Sequence, residues 1–431
     1  MDHTTAITPA AGTPLSARFQ AVRRQTEALA DGLSDADATV QSMEDTSPAK
    51  WHLAHTTWFF ETFLLKALDP AYRPFDDRYA FLFNSYYEGA GERHARPRRG
   101  LITRPSLDEV LDYRAHVNAA METLIAARGG DAAFAELLVL GLHHEQQHQE
   151  LFLTDILHLF AQNPLKPAFR APSPLPVVPA SHEASGWSHL SGGIVEIGHT
   201  GEAFCFDNEA PRHQTLLRDV RIANRAVTNG DWIDFIEDAG YETPALWLSD
   251  GIATVRAEGW NAPLYWEQRD GKWWAMTLRG FQPVDPAAPV CHVSYYEADA
   301  FARWAGKRLP TEAEWEIAAA RHDPRSGNQL ESGRLRPAPQ IEKPQSRASG
   351  GMLGLFGDVW EWTASAYLPY PGYAPLPGVI GEYNGKFMSG QMVTRGGSCA
   401  TPPHHVRATY RNFFQPEKRW QFSGLRLAED A

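Results

Sequence analysis

Up to about residue 165, apolar residues recur at the spacing of one helix face. This spacing predicts four long helices, separated by polar stretches that carry proline and glycine. The predicted helices cover residues 16–33, 48–67, 106–128 and 132–161. Ser47 and Pro48 suit the N-cap and the first turn of the second helix. Four long helices with loops of varied length predict a bundle, a fold that often holds a metal between facing helices.

The pattern of the chain changes near residue 165. A proline-rich stretch predicts a linker over residues 164–185. Beyond it, glycine, tryptophan, asparagine and turn residues predict short strands, with amphipathic helices near 229–239 and 295–305. The predicted organisation is therefore a flexible tail over 1–14, a helical bundle over 15–163, the linker, and a second domain over 186–431. The predicted fold class is α+β.

Composition excludes several classes of partner. The formal net charge of −12 over 431 residues argues against nucleic acid and anionic membrane surfaces as partners. No apolar stretch approaches the length of a membrane span, and the first residues do not form a signal-peptide core. Cys205, Cys291 and Cys399 are widely spaced, unlike a disulfide framework. We therefore expect a cytoplasmic protein, and composition leaves its oligomeric state open.

The segment His144-Glu145-Gln146-Gln147-His148 carries the clearest chemistry in the chain. Its two histidines are four residues apart, so they share one face of the fourth predicted helix. The pattern H-E-x-x-H is typical of zinc hydrolases, in which the glutamate is the general base. Two interior histidines satisfied by neighbours are the structural alternative. However, two imidazoles in an otherwise apolar stripe are costly to bury, which favours a metal site.

The zinc-hydrolase interpretation lacks a third ligand. One common version requires glycine and histidine at positions that hold Leu151 and Thr154. Another requires a glutamate on a following helix, yet residues 151–181 contain none. Asp155 lies two turns beyond the histidine pair, too far along the axis to share an ion with His144. This interpretation is therefore the weaker one.

His55 is a better third ligand. It shares a helix face with Trp51 and Trp58 in the second predicted helix. Three neutral imidazoles would leave a divalent ion its full charge and three open positions on an octahedron. Such a site suits Fe(II) and O2 chemistry, for which two histidines and one carboxylate are the commoner ligands. His52 could compete for this role, although it lies off the His55 face.

Both halves of the chain resemble known families. The segments W-H-L-A-H (51–55) and H-E-Q-Q-H (144–148) resemble the ligand-bearing helices of a DinB-like four-helix metal bundle. The segments R-L-P-T-E-A-E-W-E (308–316), G-D-V-W-E-W-T (357–363) and R-G-G-S (395–398) resemble the formylglycine-generating-enzyme fold, a C-type-lectin-like domain. Joined in this order, the halves resemble the iron-dependent sulfoxide synthases of ergothioneine biosynthesis. The resemblance implies Fe(II) bound by His55, His144 and His148.

The resemblance also implies an activity. A thiol, cysteine in preference to γ-glutamylcysteine, would be joined with O2 to the imidazole C2 of hercynine, and its sulfur oxidised to the sulfoxide. An ovothiol-type synthase acting on histidine is the enzymatic alternative, although such enzymes usually carry an additional methyltransferase domain. A non-catalytic, metal-stabilised binding protein is a further alternative. Formylglycine generation is not expected, because it needs a pair of cysteines near the C-terminus and only Cys399 lies there.

Four residues are implied to contact hercynine. Gln147 would hydrogen-bond its imidazole near the metal. Asn412, Phe413 and Phe414 lie in the stretch that matches the contacts to its trimethylammonium and carboxylate groups. Aromatic faces suit a quaternary ammonium, which has no N–H to donate.

The resemblance also implies that residues 86–99 bind the thiol substrate and supply the proton donor. Arg96 and Arg99 would clamp the carboxylate of the thiol substrate, since arginine offers two parallel donors. Tyr86 or Tyr87 is the candidate proton donor and resembles the cysteine-using branch of the family. Some members place this tyrosine in a segment that resembles the surroundings of Tyr367. We favour the Tyr86–Tyr87 pair.

Overall fold

The computed structural model describes residues 12–173, 186–201, 203–340 and 351–431. Most of the predicted tail and of the predicted linker lies outside these ranges. The chain divides into two compact units. The first unit comprises Met1–Pro164, Pro375–Tyr383 and Thr401–His405, and the second comprises Leu165–Ala374, Asn384–Ala400 and Val406–Ala431.

The first unit is helical. Its helices are α1 (Leu15–Ala30), α2 (Asp35–Thr39), α3 (Ala49–Phe60), α4 (Lys66–Leu68), α5 (Tyr79–Leu82), α6 (Leu107–Arg128) and α7 (Ala132–Gln162). A π-helical turn, Glu61–Leu65, joins α3 to α4. Helix α3 packs against α6 and α7, and α1 packs against the same two helices. The predicted four-helix bundle is confirmed.

Helix α3 occupies the centre of this bundle, and all twelve of its residues are buried. It lies very close to α7 because Gly141 has no side chain. A Cβ at Gly141 would lie 2.7 Å from Cε1 of Phe60 and 2.9 Å from Cε1 of Phe59. The rings of Phe59 and Phe60 on α3 therefore pack directly against the backbone of Gly141 on α7.

Helix α7 also organises a segment from the C-terminal half of the chain. The Thr401 hydroxyl donates to Glu150, 2.7 Å away, and Gln146 donates to the carbonyl of Pro403 at 3.1 Å. Nδ1 of His143 lies 3.0 Å from Nδ1 of His405. These contacts explain why Thr401–His405 belongs to the first unit. Although α7 is long, no helix in the described ranges has the length and apolar character needed to cross a membrane.

The predicted N-cap of the second helix is wrong. Helix α3 begins at Ala49, Pro48 occupies the N-cap position, and no side chain caps the helix. The Ser47 backbone N–H instead donates to Oδ2 of Asp155 at 2.8 Å, and the Ser47 hydroxyl accepts from Arg99 at 2.9 Å. Tertiary partners therefore replace the local capping bond.

The second unit is built on β-sheets. Its strands are β1 (Trp187–Leu190), β2 (Gly193–Ile197), β3 (His213–Leu217), β4 (Val220–Ala226), β5 (Trp266–Arg269), β6 (Lys272–Thr277), β7 (Gly280–Pro283), β8 (Trp360–Ala366), β9 (Met392–Arg395), β10 (Asn412–Phe414) and β11 (Ser423–Asp430). The main sheet has the order β1-β4-β11-β8-β9-β10. Strands β2 and β3 form a separate hairpin, and β5, β6 and β7 form a third sheet.

Helices cover the main sheet of the second unit. They are α8 (Asn229–Glu237), α9 (Ser249–Glu258), α10 (Tyr295–Trp304) and α11 (Glu312–Ala319); the short α12 (Glu382–Gly385) crosses the boundary between the units. Trp232 of α8 stacks on Phe301 of α10 with ring centroids 4.9 Å apart. Both rings pack with Trp362 and Leu425 from the central strands. The predicted α+β class, with two amphipathic helices against short strands, is confirmed.

Candidate metal centre

Three imidazoles from two helices meet inside the first unit. The ring centroid of His55, from α3, lies 5.0 Å from that of His144 and 4.7 Å from that of His148. The two α7 rings are 4.7 Å apart. One ring nitrogen of each histidine lies within 4.8 Å of the other two. A single ion can therefore take a nitrogen from all three, as the sequence predicts.

The surroundings of His55 fix its ring. Its Nδ1 lies 2.6 Å from the carbonyl of Phe83, which can only accept a hydrogen bond. Nδ1 must therefore carry the proton, and the lone pair of Nε2 stays available for an ion. Trp51 stacks on the imidazole with centroids 4.5 Å apart, and Trp58 stacks at 5.6 Å. These rings are the aromatic stripe seen in the sequence.

The three imidazoles are held in the neutral form that metal binding requires. Burial lowers the pKa of His144 to about 4. Burial, and then proximity to the other ring nitrogens, takes the pKa values of His55 and His148 well below their usual value. Within the described ranges, the buried Nδ1 of His144 has no hydrogen-bond partner. Three neutral imidazoles with nitrogen lone pairs available for coordination fit a divalent metal ion.

Glu145 is not placed to act as a general base. Its carboxylate accepts hydrogen bonds from Arg23 at 2.8 Å, Arg114 at 2.9 Å and Thr26 at 2.6 Å. Burial alone would raise the pKa of this carboxyl, but the two arginines outweigh burial and hold the pKa at about 2. Glu145 is fully committed to the packing of α1, α6 and α7. The zinc-hydrolase alternative therefore loses its base.

His52 and Asp155 lie against the histidine cluster. Nδ1 of His52 is 2.9 Å from Nδ1 of His148, and Nε2 of His52 is 3.0 Å from Oδ2 of Asp155. The sequence predicts neither contact, since His52 is expected off the His55 face and Asp155 is expected too far along α7 to be a ligand. The available signal was spacing, because Asp155 lies two turns from His148 on one helix face.

Arg96 and Arg99 are neighbours in the segment that follows α5. The buried Arg99 guanidinium lies 3.4 Å from the ring centroid of Trp51, and it donates to Ser47 and Ser85. Burial, and then Arg96, lowers the pKa of Arg99 to about 9. Among the residues that the structure describes, neither arginine forms an ion pair with a carboxylate. This pair of cations is suited to bind an anion.

The two candidate tyrosines have different surroundings. The half-buried Tyr86 accepts a hydrogen bond on its hydroxyl from Nη1 of Arg96, 2.5 Å away. Tyr87 is buried, stacks on Trp58 at 5.7 Å and lies 6.5 Å from the ring of His144, measured between centroids. Tyr86 is thus hydrogen-bonded to Arg96, and Tyr87 packs against the histidine cluster.

Gln147 lies on α7 next to His148 and is half-buried. The remaining candidates lie in the second unit. Asn412, Phe413 and Phe414 form β10, where Asn412 pairs with Thr394 of β9. Phe413 stacks on Tyr367 with centroids 4.0 Å apart.

Tyr367 is integrated into the second unit. Its hydroxyl accepts a hydrogen bond from Nδ2 of Asn208 at 2.9 Å, and the side chain is fully buried. Burial raises the pKa of this phenol strongly. The Arg411 guanidinium lies 5.0 Å from the ring centroid. These contacts give Tyr367 a packing role that does not depend on catalysis.

Two families match successive parts of the chain. Residues 18–152 match the DinB superfamily. Residues 176–431 match the family described as the Sulfatase-modifying factor enzyme 1-like domain. The first match contains all three candidate ligands, and the second covers the sheets of the second unit.

Similar proteins extend over nearly the whole chain. A hercynine oxygenase from Mycobacterium tuberculosis is 34% identical and covers 96% of this chain and 98% of its own. A hercynine oxygenase from Mycolicibacterium smegmatis is 33% identical, covering 89% and 91%. Ergothioneine biosynthesis protein 1 from Schizosaccharomyces pombe is 28% identical, covering 53% of this chain and 28% of its own. The chain belongs to the hercynine oxygenase family, and it is an oxygenase.

Proposed function

We propose that this protein joins the sulfur of cysteine to the imidazole C2 of hercynine and forms the sulfoxide, within ergothioneine biosynthesis. The reaction balances with one O2. The thiol and the imidazole each lose a hydrogen, one oxygen atom enters the sulfoxide, and the other leaves as water. The resemblance of N-S-Y-Y-E (84–88) to the cysteine-using branch favours cysteine over γ-glutamylcysteine. The proposal includes a cytoplasmic location.

The observation that carries this proposal is a cluster of three neutral imidazoles. His55, His144 and His148 can each present one nitrogen to the same ion. Fe(II) bound in this way would supply O2 activation and keep coordination positions open for substrates. Glu145, the base that a hydrolase would need, is bound to two arginines instead. The site therefore favours an oxygenase over a zinc hydrolase.

Arg96 and Arg99 support the binding of an amino-acid thiol. Both guanidinium groups lie in one short segment without a carboxylate partner among the described residues. Burial lowers the pKa of Arg99 although Asp155 partly offsets this effect, and a substrate carboxylate would further stabilise the charge of Arg99. We assign the carboxylate of cysteine to this pair. Binding it would orient the thiol.

Tyr86 and Tyr87 are the proposed proton donors, on different grounds. Arg96 lies 2.5 Å from the Tyr86 hydroxyl and would stabilise the phenolate that remains after the proton has left. Tyr87 lies nearer to the ligands, since its ring contacts His144. A proton donor needs both reach and a stabilised conjugate base. Separate substitution of each tyrosine distinguishes them.

Hercynine would use the other candidate contacts. Gln147 precedes His148 on α7 and can donate an amide hydrogen to an imidazole nitrogen. Asn412, Phe413 and Phe414 are only half-buried in the second unit, so their side chains are not fully committed to packing. Aromatic faces attract a trimethylammonium group by cation–π interaction. The family resemblance thus assigns the hercynine imidazole to Gln147, and the trimethylammonium and carboxylate groups to Asn412, Phe413 and Phe414.

The test is an anaerobic reconstitution. The protein is loaded with Fe(II), mixed with hercynine and cysteine, and then exposed to air, while O2 uptake and products are followed. Formation of the hercynylcysteine sulfoxide with one O2 consumed per product is expected. Parallel reactions replace hercynine with histidine, or cysteine with γ-glutamylcysteine. A product only with histidine would favour the ovothiol-type activity, and no O2 uptake with any pair would refute the proposal.

The control for this test is His55→Ala. The substitution removes one of three nitrogen ligands and should abolish both Fe(II) binding and O2 uptake. Arg98→Met changes an exposed arginine in the same 3-10 helical segment as the anion-binding pair and should leave turnover unchanged. Together the two variants separate loss of the metal from general damage to the protein.

A further inference from the structure

A hydrogen-bonded relay of three polar side chains ends on one candidate ligand. It runs from Asp155 to His52 to His148, with contacts of 3.0 Å and 2.9 Å. His52 and Asp155 are 3% and 6% exposed, so water does not readily replace either contact. His52 belongs to α3, whereas the other two belong to α7. The relay therefore links the two helices that carry the candidate ligands.

The carboxylate at the end of the relay determines which ring nitrogen of each histidine carries a hydrogen. Ionised Asp155 can only accept a hydrogen bond, so Nε2 of His52 carries a hydrogen and donates it. In neutral His52, Nδ1 is then an acceptor. It accepts from His148, whose Nδ1 must carry the hydrogen. Nε2 of His148 is thereby the nitrogen that keeps its lone pair.

The position of Asp155 is itself fixed. Oδ2 accepts the Ser47 backbone N–H at 2.8 Å as well as the bond from His52. A backbone donor cannot rotate away as a side chain can. The carboxylate is therefore held at one point between the start of α3 and the middle of α7.

The three candidate ligands have different supports. His55 donates to the backbone carbonyl of Phe83. In the described part of the chain, Nδ1 of His144 has no hydrogen-bond partner. Among the described residues, His148 is the ligand of the three that a side-chain relay ending on a carboxylate supports. A carboxylate acting through a histidine makes the ligand a stronger donor and fixes its ring orientation.

We infer that His52 and Asp155 are positioning residues that select the metal-binding tautomer of His148. This inference rests on the proposed metal site and deepens it. Without the relay, His148 could carry its hydrogen on Nε2, which would block coordination. The relay would thus set the metal affinity of the site without contributing a ligand.

The test compares two substitutions at His52, of which only one can hydrogen-bond to both neighbours. His52→Phe keeps a ring beside Trp51 and Phe152 but cannot bridge. His52→Gln can accept from His148 through Oε1 and donate to Asp155 through Nε2. We expect His52→Phe to weaken Fe(II) binding about 10- to 100-fold and to change the visible spectrum of the Co(II)-loaded protein. His52→Gln should restore much of the affinity.

Asp155→Ala provides a second route, independent of the ring at position 52. It should weaken metal binding in the same direction as His52→Phe. The double variant should lose less than the sum of the two, because both break one relay. The matched control is His116→Phe, an exposed histidine of α6 that bonds to the carbonyl of Arg73. Thermal unfolding of each variant shows that it is folded before affinity is compared.

The outcomes separate this inference from the proposed function. If folded His52→Phe and Asp155→Ala bind Fe(II) as tightly as the unsubstituted protein, the relay is refuted while the oxygenase activity stands. If the unsubstituted protein binds Fe(II) but consumes no O2 with the proposed substrates, the function fails, and a weakened His52→Phe still supports the relay. If His52→Gln binds as weakly as His52→Phe, the bridging role is wrong.

Discussion

Gly141 of α7 lies against Phe60 of α3 so closely that a Cβ at Gly141 would be 2.7 Å from Cε1 of the ring. On α7 this contact lies three residues from His144, and on α3 it lies five residues from His55. It sets how closely the two ligand-bearing helices approach, and hence whether their imidazoles can share one ion. A glycine is required here for close approach, not for an unusual backbone conformation.

Gly141→Ala should therefore damage the metal site. Forcing a methyl group into this contact should cost about 1–3 kcal/mol of unfolding free energy. Separation of α3 from α7 should also weaken Fe(II) binding. Urea unfolding and metal titration measure the two effects. Gly130→Ala is the matched control, because a Cβ there meets nothing within 4 Å. Unchanged affinity in a folded Gly141→Ala protein would contradict this account.

Glu145→Gln should lower the free energy of unfolding without abolishing turnover. The change leaves Arg23 and Arg114 buried with a neutral partner, and breaking a buried ion pair in this way costs about 3–5 kcal/mol. Turnover per folded, metal-loaded molecule should stay close to that of the unsubstituted protein. Urea unfolding gives the first quantity, and O2 uptake normalised to bound Fe(II) gives the second. Loss of normalised turnover would restore Glu145 as a catalytic base.

The control for that experiment is Glu122→Gln. Glu122 is exposed and accepts a hydrogen bond from Gln20. The same loss of charge at this surface position should change stability by no more than about 0.5 kcal/mol.

The bundle and its histidine cluster could be predicted because helical spacing is a local property. A four-residue separation places His144 and His148 on one face, and the aromatic neighbours of His55 mark its face as buried. The hydrogen bonds that hold the histidine cluster depend instead on how the helices pack against one another. His52 meets His148 only because α3 and α7 pack in one register, which no local pattern contains. Ser47 failed as a predicted cap for the same reason, since Asp155 and Arg99 take its polar groups.

Tyr86→Phe and Tyr87→Phe should separate the roles of the two tyrosines. Removing the proton donor should lower the yield of sulfoxide per O2 consumed and the rate by about 100- to 10,000-fold. Removing the other hydroxyl should have a small effect. Product analysis of single turnovers distinguishes the two. Tyr367→Phe is the comparison in the second unit, and full activity in both Tyr86→Phe and Tyr87→Phe would exclude the pair as donors.

Arg96→Met should weaken binding of the thiol substrate. Losing a charge-assisted hydrogen bond to a carboxylate costs about 1.5–3 kcal/mol, which corresponds to a rise in KM for cysteine of roughly 10- to 150-fold. The KM for hercynine should change little. Cysteamine, which lacks the carboxylate, should be equally poor with the unsubstituted protein and with the variant. An equal rise in both KM values would show that Arg96 supports the fold of the loop instead.

His292 should make the second unit sensitive to acid. Burial lowers its pKa to about 3, with Arg419 adding repulsion, while the backbone acceptors at Gln421 and Trp420 oppose the shift. Between pH 3 and the unfolded value near 6.5, the unfolded chain therefore binds more protons than the folded one. The contribution of neutral His292 to stability is fully present above the unfolded pKa and is lost as the pH falls toward the folded pKa. At pH 5 the loss should be about 2 kcal/mol.

His292→Asn tests this sensitivity. Asparagine tolerates the left-handed backbone at this position, where φ is 64°, and its amide can donate to the Gln421 carbonyl as Nδ1 does. Urea unfolding followed by tryptophan fluorescence at pH 7 and pH 5 should show a smaller difference for the variant than for the unsubstituted protein. His189→Asn, at an exposed position on β1, should keep the full difference. Equal pH dependence in His292→Asn and the unsubstituted protein would show that other groups cause the acid sensitivity.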